Sequence, residues 1–141
     1  MEEYIVKVYQ DNCGKVIRWY QNDQLHRLDG PACIVYYENG NKWYEYYYLN
    51  GKRHNENGPA QIFYYPNGNK KYEYYHLNNT FHNEYGPATI HYDENGNTKY
   101  EHYYLNNVKL SKEEWSQKIN KDSCDGKIVE IDGNKYKLTA V

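Results

Sequence analysis

The chain has 141 residues, 17 Lys and Arg against 19 Asp and Glu, a net charge of −2 and a mean hydropathy of −1.17. Interspersed charges of both signs leave no basic field to track a phosphate backbone, which argues against nucleic acid as a partner. The longest apolar run falls far short of the ~18 residues of a membrane span, and the acidic start Met1-Glu2-Glu3-Tyr4 lacks the apolar segment of a secretion signal.

Taken in chain order, Tyr4–Tyr9 and Lys15–Trp19 read as a hairpin around Asp11-Asn12-Cys13-Gly14, and residues 1–18 are expected to form an N-terminal capping hairpin. Residues 19–107 then repeat with a fixed period of 28. His26, His54 and His82 each stand four residues before a Gly-Pro-Ala, at Gly30, Gly58 and Gly86. Asn-Gly-Asn follows at Gly40, Gly68 and Gly96, and Tyr-Glu at Tyr44-Glu45, Tyr72-Glu73 and Tyr100-Glu101. Residues 47–74 and 75–102 agree at 17 of 28 positions. A strict period means one supersecondary unit stacked on copies of itself.

Within a unit, Gln61–Tyr65 and Lys71–Tyr75 are β-formers flanking Pro66-Asn67-Gly68. Pro66 lacks the N–H that a two-residue type I′ turn on Asn67-Gly68 requires. A type I turn with Pro66 and Asn67 central and Gly68 left-handed uses all three residues well. The register that follows puts Ile62 near Tyr72 and Ala60 near Tyr74. One face then carries Ala60, Ile62, Tyr64, Tyr72, Tyr74 and His76 as the expected core, and the Gln61/Phe63/Tyr65 side is expected to be mostly solvated. The connection 49–58 has turn signals at Asn50-Gly51 and Asn57-Gly58-Pro59, with room for one very short strand.

After the last unit, Ser111-Lys112-Glu113-Glu114 is a capping box that opens a short helix to about Ile119. A final hairpin, Lys127–Ile131 and Tyr136–Leu138 around Asp132-Gly133-Asn134, completes a C-terminal cap over 108–141 that is expected to cover the sheet end. The predicted fold is mainly β: an elongated, meander-like antiparallel sheet of hairpin repeats, a short C-terminal helix and a capping hairpin, in one domain.

Twenty Tyr, three Trp and only two Phe mean that the core is built from amphipathic rings whose hydroxyls need partners. Cys13, Cys33 and Cys124 are odd in number and fall at no equivalent repeat positions, so they read as free thiols of a reducing, cytoplasmic setting.

The His26/His54/His82 series suggests a metal. Equivalent residues of successive hairpins stand two strand spacings apart, roughly 9.5 Å, whereas a zinc ion brings its ligands within ~2 Å of itself. No metal or cofactor is therefore expected, and each imidazole reads as bonding a backbone group of its own Gly-Pro turn. A catalytic carboxylate pair needs two unlike environments, and Glu45, Glu73 and Glu101 occupy like ones; they read as bonding tyrosine hydroxyls or turn amides. No nucleophile–base pair or phosphate loop occurs, so no enzyme is predicted.

The pattern Tyr-x-Asn-Gly-x-x-His-x-x-x-Gly-Pro-Ala, followed by Tyr-x-x-Asn-Gly and a Tyr-rich strand, resembles MORN-repeat variants over residues 19–107, with a unit longer than the better-known MORN consensus. Arrays of this Gly-Pro-Ala form occur in giant-virus, large-phage and some bacterial proteins, so the resemblance implies one hairpin per repeat and a viral or phage accessory protein. Tyr47-Tyr48-Leu49-Asn50-Gly51 is also similar to cell-wall choline- or glucan-binding repeats, whose period is shorter.

Taken together, these readings predict a non-catalytic protein–protein interaction module. Its candidate surface is Trp43, Tyr44, Tyr46, Tyr48, Arg53 and Phe63, or the loop edge near His54 and His82, because Tyr, Trp and Arg dominate binding hot spots. The alternative is a glycan or nucleotide stacked on Tyr and Trp. Sheet edges or faces also offer a route to self-association.

Overall fold

β-Branched and aromatic residues alternating between punctuating Asn-Gly and Gly-Pro pairs favour short antiparallel strands, and these dominate the computed structural model. It describes residues 3–12, 14–122 and 128–137. Strands β1 (Ile5–Asp11) and β2 (Gly14–Gln21) form the first hairpin, and β3 (Gln24–Leu25) folds back on the end of β2. Next come β4 (Cys33–Tyr36), β5 (Lys42–Tyr46), β6 (Tyr48–Leu49) and β7 (Lys52–Arg53). The same series follows as β8 (Gln61–Tyr64), β9 (Lys70–Tyr74), β10 (His76–Leu77) and β11 (Thr80–Phe81), then β12 (Thr89–Tyr92), β13 (Thr98–Leu105) and β14 (Val108–Leu110). Helix α1 (Lys112–Asp122) precedes a last hairpin, β15 (Ile128–Ile131) and β16 (Asn134–Lys137).

The long strands pair in the order β1-β2-β4-β5-β8-β9-β12-β13, every neighbour antiparallel. The connection expected to hold one very short strand holds two. β6 with β7, β10 with β11, and the end of β13 with β14 are small hairpins. Their turns use left-handed pairs, Asn50-Gly51 (φ 47° and 74°), Asn78-Asn79 (49° and 67°) and Asn106-Asn107 (49° and 66°), the conformation a two-residue turn requires. Backbone bonds join these small hairpins into a second row. The N–H of Gly51, Asn79 and Asn107 donates to the carbonyl of Leu25, Arg53 and Phe81, each at 2.9 Å.

At the tips of the long hairpins the turn is as Pro66 dictates. The Gly68 N–H donates to the Tyr65 carbonyl at 2.9 Å, the Tyr65 N–H donates to Asn69 at 2.8 Å, and Gly68 has φ 91°. One step further the expected register fails. Tyr64 lies opposite Lys70 but Phe63 lies opposite Tyr72, so Lys71 is an extra, unpaired residue, as are Trp43 and Lys99 in the other hairpins. Such a bulge turns the rest of the strand over. Ile62 therefore faces Glu73, not Tyr72.

The two faces are sorted differently from the expectation as a result. One face carries the cross-strand row Ile17, Ile34, Glu45, Ile62, Glu73, Ile90 and Glu101. The other carries Val16, Val35, Tyr44, Phe63, Tyr72, His91 and Tyr100, with a parallel row of Arg18, Cys33, Tyr46, Gln61, Tyr74, Thr89 and His102. The side expected to be mostly solvated thus holds the best-packed cluster, where Val16, Cys33 and Val35 are buried under Trp43, Tyr44 and Tyr46. Ala32, Ala60 and Ala88, with Ile34 and Ile62, are buried as expected.

The capping box forms: the Glu114 N–H donates to Ser111 Oγ at 3.1 Å and the Ser111 N–H to Glu114 Oε2 at 2.8 Å. Trp115 ties α1 to the last unit, its ring 5.1 Å from that of Tyr103 and its Nε1–H donating to the Asn83 carbonyl at 2.9 Å. Of the expected C-terminal cap, α1 packs on the last unit but, among the described residues, the hairpin after it does not pair with the sheet, and the first hairpin leaves its own outer edge uncovered. β15 and β16 pair only with each other among the described residues, and β1 is an outer strand exposed along its length. The proposed thiols Cys13 and Cys124, and the hairpin ends Lys127 and Leu138, lie outside the described residues.

Candidate functional site

Because strand residues alternate faces, Tyr44 and Tyr46 of β5, Phe63 of β8, and Tyr72 and Tyr74 of β9 all land on the Val16/Val35 side. Tyr44 and Tyr46 stack at 4.6 Å, and Phe63 reaches both, at 5.8 and 5.6 Å. Phe63 continues to Tyr72 and Tyr74 at 5.9 and 6.1 Å, and His91 follows at 4.6 Å from Tyr72. The bulge puts Trp43 on this face too, stacked on Tyr37 at 5.7 Å and edge-on to Tyr44 at 5.4 Å. Tyr48 meets Tyr46 at 6.3 Å and lies opposite Arg53 in the small hairpin.

Six of the eight expected site residues, Trp43, Tyr44, Tyr46, Tyr48, Arg53 and Phe63, therefore lie in one contiguous, half-buried array. Burial pushes the Tyr46 phenol up to about 12, the neighbouring Tyr44 and Tyr48 adding to it. Burial likewise raises Tyr44 and Tyr48 and lowers His91. The face thus presents neutral hydroxyls and a neutral imidazole. Beneath it, burial also raises the Cys33 thiol although Arg18 opposes this, so Cys33 packs as a thiol and offers no thiolate nucleophile.

His54 and His82 lie elsewhere, and their partners are not those expected. Each imidazole accepts at Nδ1 from the small-hairpin turn of the next unit: Asn50 N–H to His26 at 3.0 Å, Asn78 N–H to His54 and Asn106 N–H to His82, both at 3.1 Å. Nε2 of His54 and His82 then faces Glu56 and Glu84, at 3.4 and 3.3 Å. These rings staple successive units. His82 also lines an open cleft of about 720 Å3 between loops 55–58 and 82–87, floored by Tyr75, Leu77 and Ile90.

The glutamates act in the same way. Tyr64 Oη donates to Glu45 and Tyr92 Oη to Glu73, both at 2.6 Å, each from the next unit. Lys42 reaches Glu45 at 2.5 Å, and Lys70 contacts Glu73. Burial, then the paired carboxylate, holds the Tyr64 and Tyr92 phenols well above their usual range. Among the described residues, no three His, Cys, Asp or Glu side chains converge where a metal ion would sit, and no helix is long and apolar enough to cross a membrane.

His76, expected in the core, is buried there, and its titration is what the sequence reading left unused, although the signal was present: it stands where the other units have Tyr20, Tyr48 and Tyr104. It is 1% exposed, 4.2 Å from the Phe81 ring. Burial pulls its pKa down to about 4, helped by Arg53 and partly offset by the Tyr74 backbone. The unfolded chain takes up this proton near pH ~6.5 and the folded one refuses it until about 4, so stability must fall as pH drops through that interval. The loss by pH ~4 is on the order of 3 kcal/mol. Urea midpoints measured across this range are expected to fall more steeply for wild type than for His76→Tyr; equal slopes would show that His76 carries none of the effect.

Compared with models of protein families, curated proteins and solved structures, the chain matches none.

Proposed function

We propose that the protein is a non-catalytic interaction module whose ring-lined face docks a partner protein. The observation that carries this reading is the unbroken run of half-buried rings from Trp43 through Phe63 to His91 on one side of the sheet. Large, stiff aromatic side chains lose little entropy on binding and dominate interface energies. Catalysis is disfavoured by symmetry: Glu45 and Glu73 have the same tyrosine and lysine partners, and an acid–base pair needs unlike ones. The likeness to MORN-repeat variants adds an intracellular accessory role of viral or phage type to the proposal.

Affinity capture with wild type and with a Trp43→Ala/Phe63→Ala variant tests it, circular dichroism establishing that the variant is folded. Loss of two anchors is expected to lower recovery of a specific partner by tenfold or more, since a hot-spot residue contributes at least ~2 kcal/mol. Equal recovery of every captured protein would remove this face from the proposal. A tryptophan-fluorescence titration with oligosaccharides and nucleotides separates the rival reading, a small ligand stacked on the same rings.

A further inference from the structure

The glutamate row, with Lys42 and Lys70 paired to it, lies on one face of the sheet. Glu45, Glu73 and Glu101 lie opposite Ile34, Ile62 and Ile90, on the side away from the rings. The ring-lined side carries cations. Arg18 lies over the Tyr9 ring at 5.7 Å, Lys7 over Tyr20 at 4.8 Å, and Lys71 over Tyr65 and Tyr72, each at 5.2 Å. Arg53 stands opposite Tyr48. None of these four forms an ion pair with a carboxylate among the described residues. Asp11, at the end of β1, is a carboxylate whose field is felt at Tyr44.

Two of the cations frame the same tyrosines. Arg18 shares a cross-strand row with Cys33 and Tyr46 and engages Cys33, Tyr20 and Tyr44, while its buried Nε–H has no acceptor among the described residues. Among the described residues Arg53 bonds the Asn79 side chain, through its backbone N–H at 2.8 Å and Nε at 3.3 Å, and no acceptor meets the end of its guanidinium. The fields of both arginines reach Tyr48. Guanidinium forks are the groups best matched to carboxylates, and neither of these two, Arg18 beside Cys33, Tyr20 and Tyr44 and Arg53 beside Asn79, has one among the described residues.

We infer that the ring-lined face takes a carboxylate-rich segment of its partner, Arg18 and Arg53 gripping carboxylates while Tyr44, Tyr46 and Phe63 hold apolar or aromatic side chains between them. This rests on the reading of that face as a docking surface and names the chemistry of the occupant. Four cations spread over the sheet of a chain with net charge −2 neutralise too few phosphates to hold a polynucleotide at physiological salt, so the occupant is a polypeptide.

The test uses fluorescence anisotropy of the full chain with three labelled probes: a short peptide alternating glutamate and tyrosine, its lysine–tyrosine counterpart, and a single-stranded oligothymidylate. The acidic peptide is expected to bind, more weakly as salt rises, and the other two are not. Arg18→Gln and Arg53→Gln are each expected to weaken it about tenfold or more, the effect of one charge-assisted hydrogen bond, while Arg53→Lys retains part of the affinity. Equal binding of the lysine peptide, tighter binding of oligothymidylate, no binding of the acidic peptide, or indifference to both Gln substitutions overturns the inference. A Tyr44→Ala/Phe63→Ala variant separates the two levels. If it loses whichever peptide binds while the arginine variants do not, the docking face stands and its acidic occupant falls; if it binds like wild type, the docking face falls as well.

Discussion

Gly14→Ala is expected to cost upwards of about 4 kcal/mol, enough to unfold a protein of ordinary stability or nearly so. Gly14 opens β2 with φ +134°, and a Cβ there would lie 2.0 Å from the Tyr36 carbonyl oxygen and 3.1 Å from its carbon. Both are backbone atoms of the neighbouring unit, so no rotamer change relieves the overlap. Either β2 parts from β4 or the hairpin of β1 and β2 opens. Gly40→Ala is the control. Gly40 also has a positive φ, +87°, but nothing lies within 4 Å of its would-be Cβ, so only the left-handed strain of about 1 kcal/mol applies. Chemical denaturation of the two variants should therefore differ several-fold in lost stability. Equal losses would mean that φ alone, and not contact with Tyr36, decides the residue.

The second large effect separates two glutamates that look alike in sequence. Glu73 is 4% exposed and accepts from Tyr92, with Lys70 alongside. Glu73→Ala leaves a half-buried hydroxyl and an ammonium without their acceptor, at a cost of roughly 2–3 kcal/mol. Glu101 is exposed, with a long 3.5 Å contact from Tyr103, and Asn120 stands where a further unit would supply the tyrosine. Its replacement by alanine is expected to cost less than about 0.5 kcal/mol, as for most surface positions. Thermal melts of both variants measure the contrast, and Glu73→Gln, which keeps an acceptor, should fall between them. A Glu101→Ala loss as large as that of Glu73→Ala would contradict the inter-unit role of the carboxylate.

Much of the fold was readable because its signals are local. Pro66, Asn67 and Gly68 specify their turn from three adjacent residues, and the Ser111–Glu114 box specifies its helix start. The bulge at Lys71 was not readable, since neither Gly nor Pro marks it and Trp43 and Lys99 take the same place. Its effect is visible only across units: it puts Glu45 and Glu73 on the side on which Tyr64 and Tyr92 arrive from the next unit. The histidine partners were hidden for a related reason, because each lies across a unit boundary in a turn 24 residues on. Small hairpins such as Asn78-Asn79 were half hidden, since asparagine alone is a weaker sign of positive φ than Asn-Gly. Of the candidate surface, the aromatic members stood out by composition. Arg18 did not, since it sits in the divergent first hairpin and only strand order brings it beside Cys33 and Tyr46.

The forward reach of the histidines bears on how the chain is made. A ribosome releases His26 well before Asn50, His54 before Asn78 and His82 before Asn106, so each ring waits for its partner until most of another unit has been synthesised. At any moment the newest unit is unlatched and the older ones are latched behind it. The order in which the latches become able to close thus runs from the first hairpin toward α1.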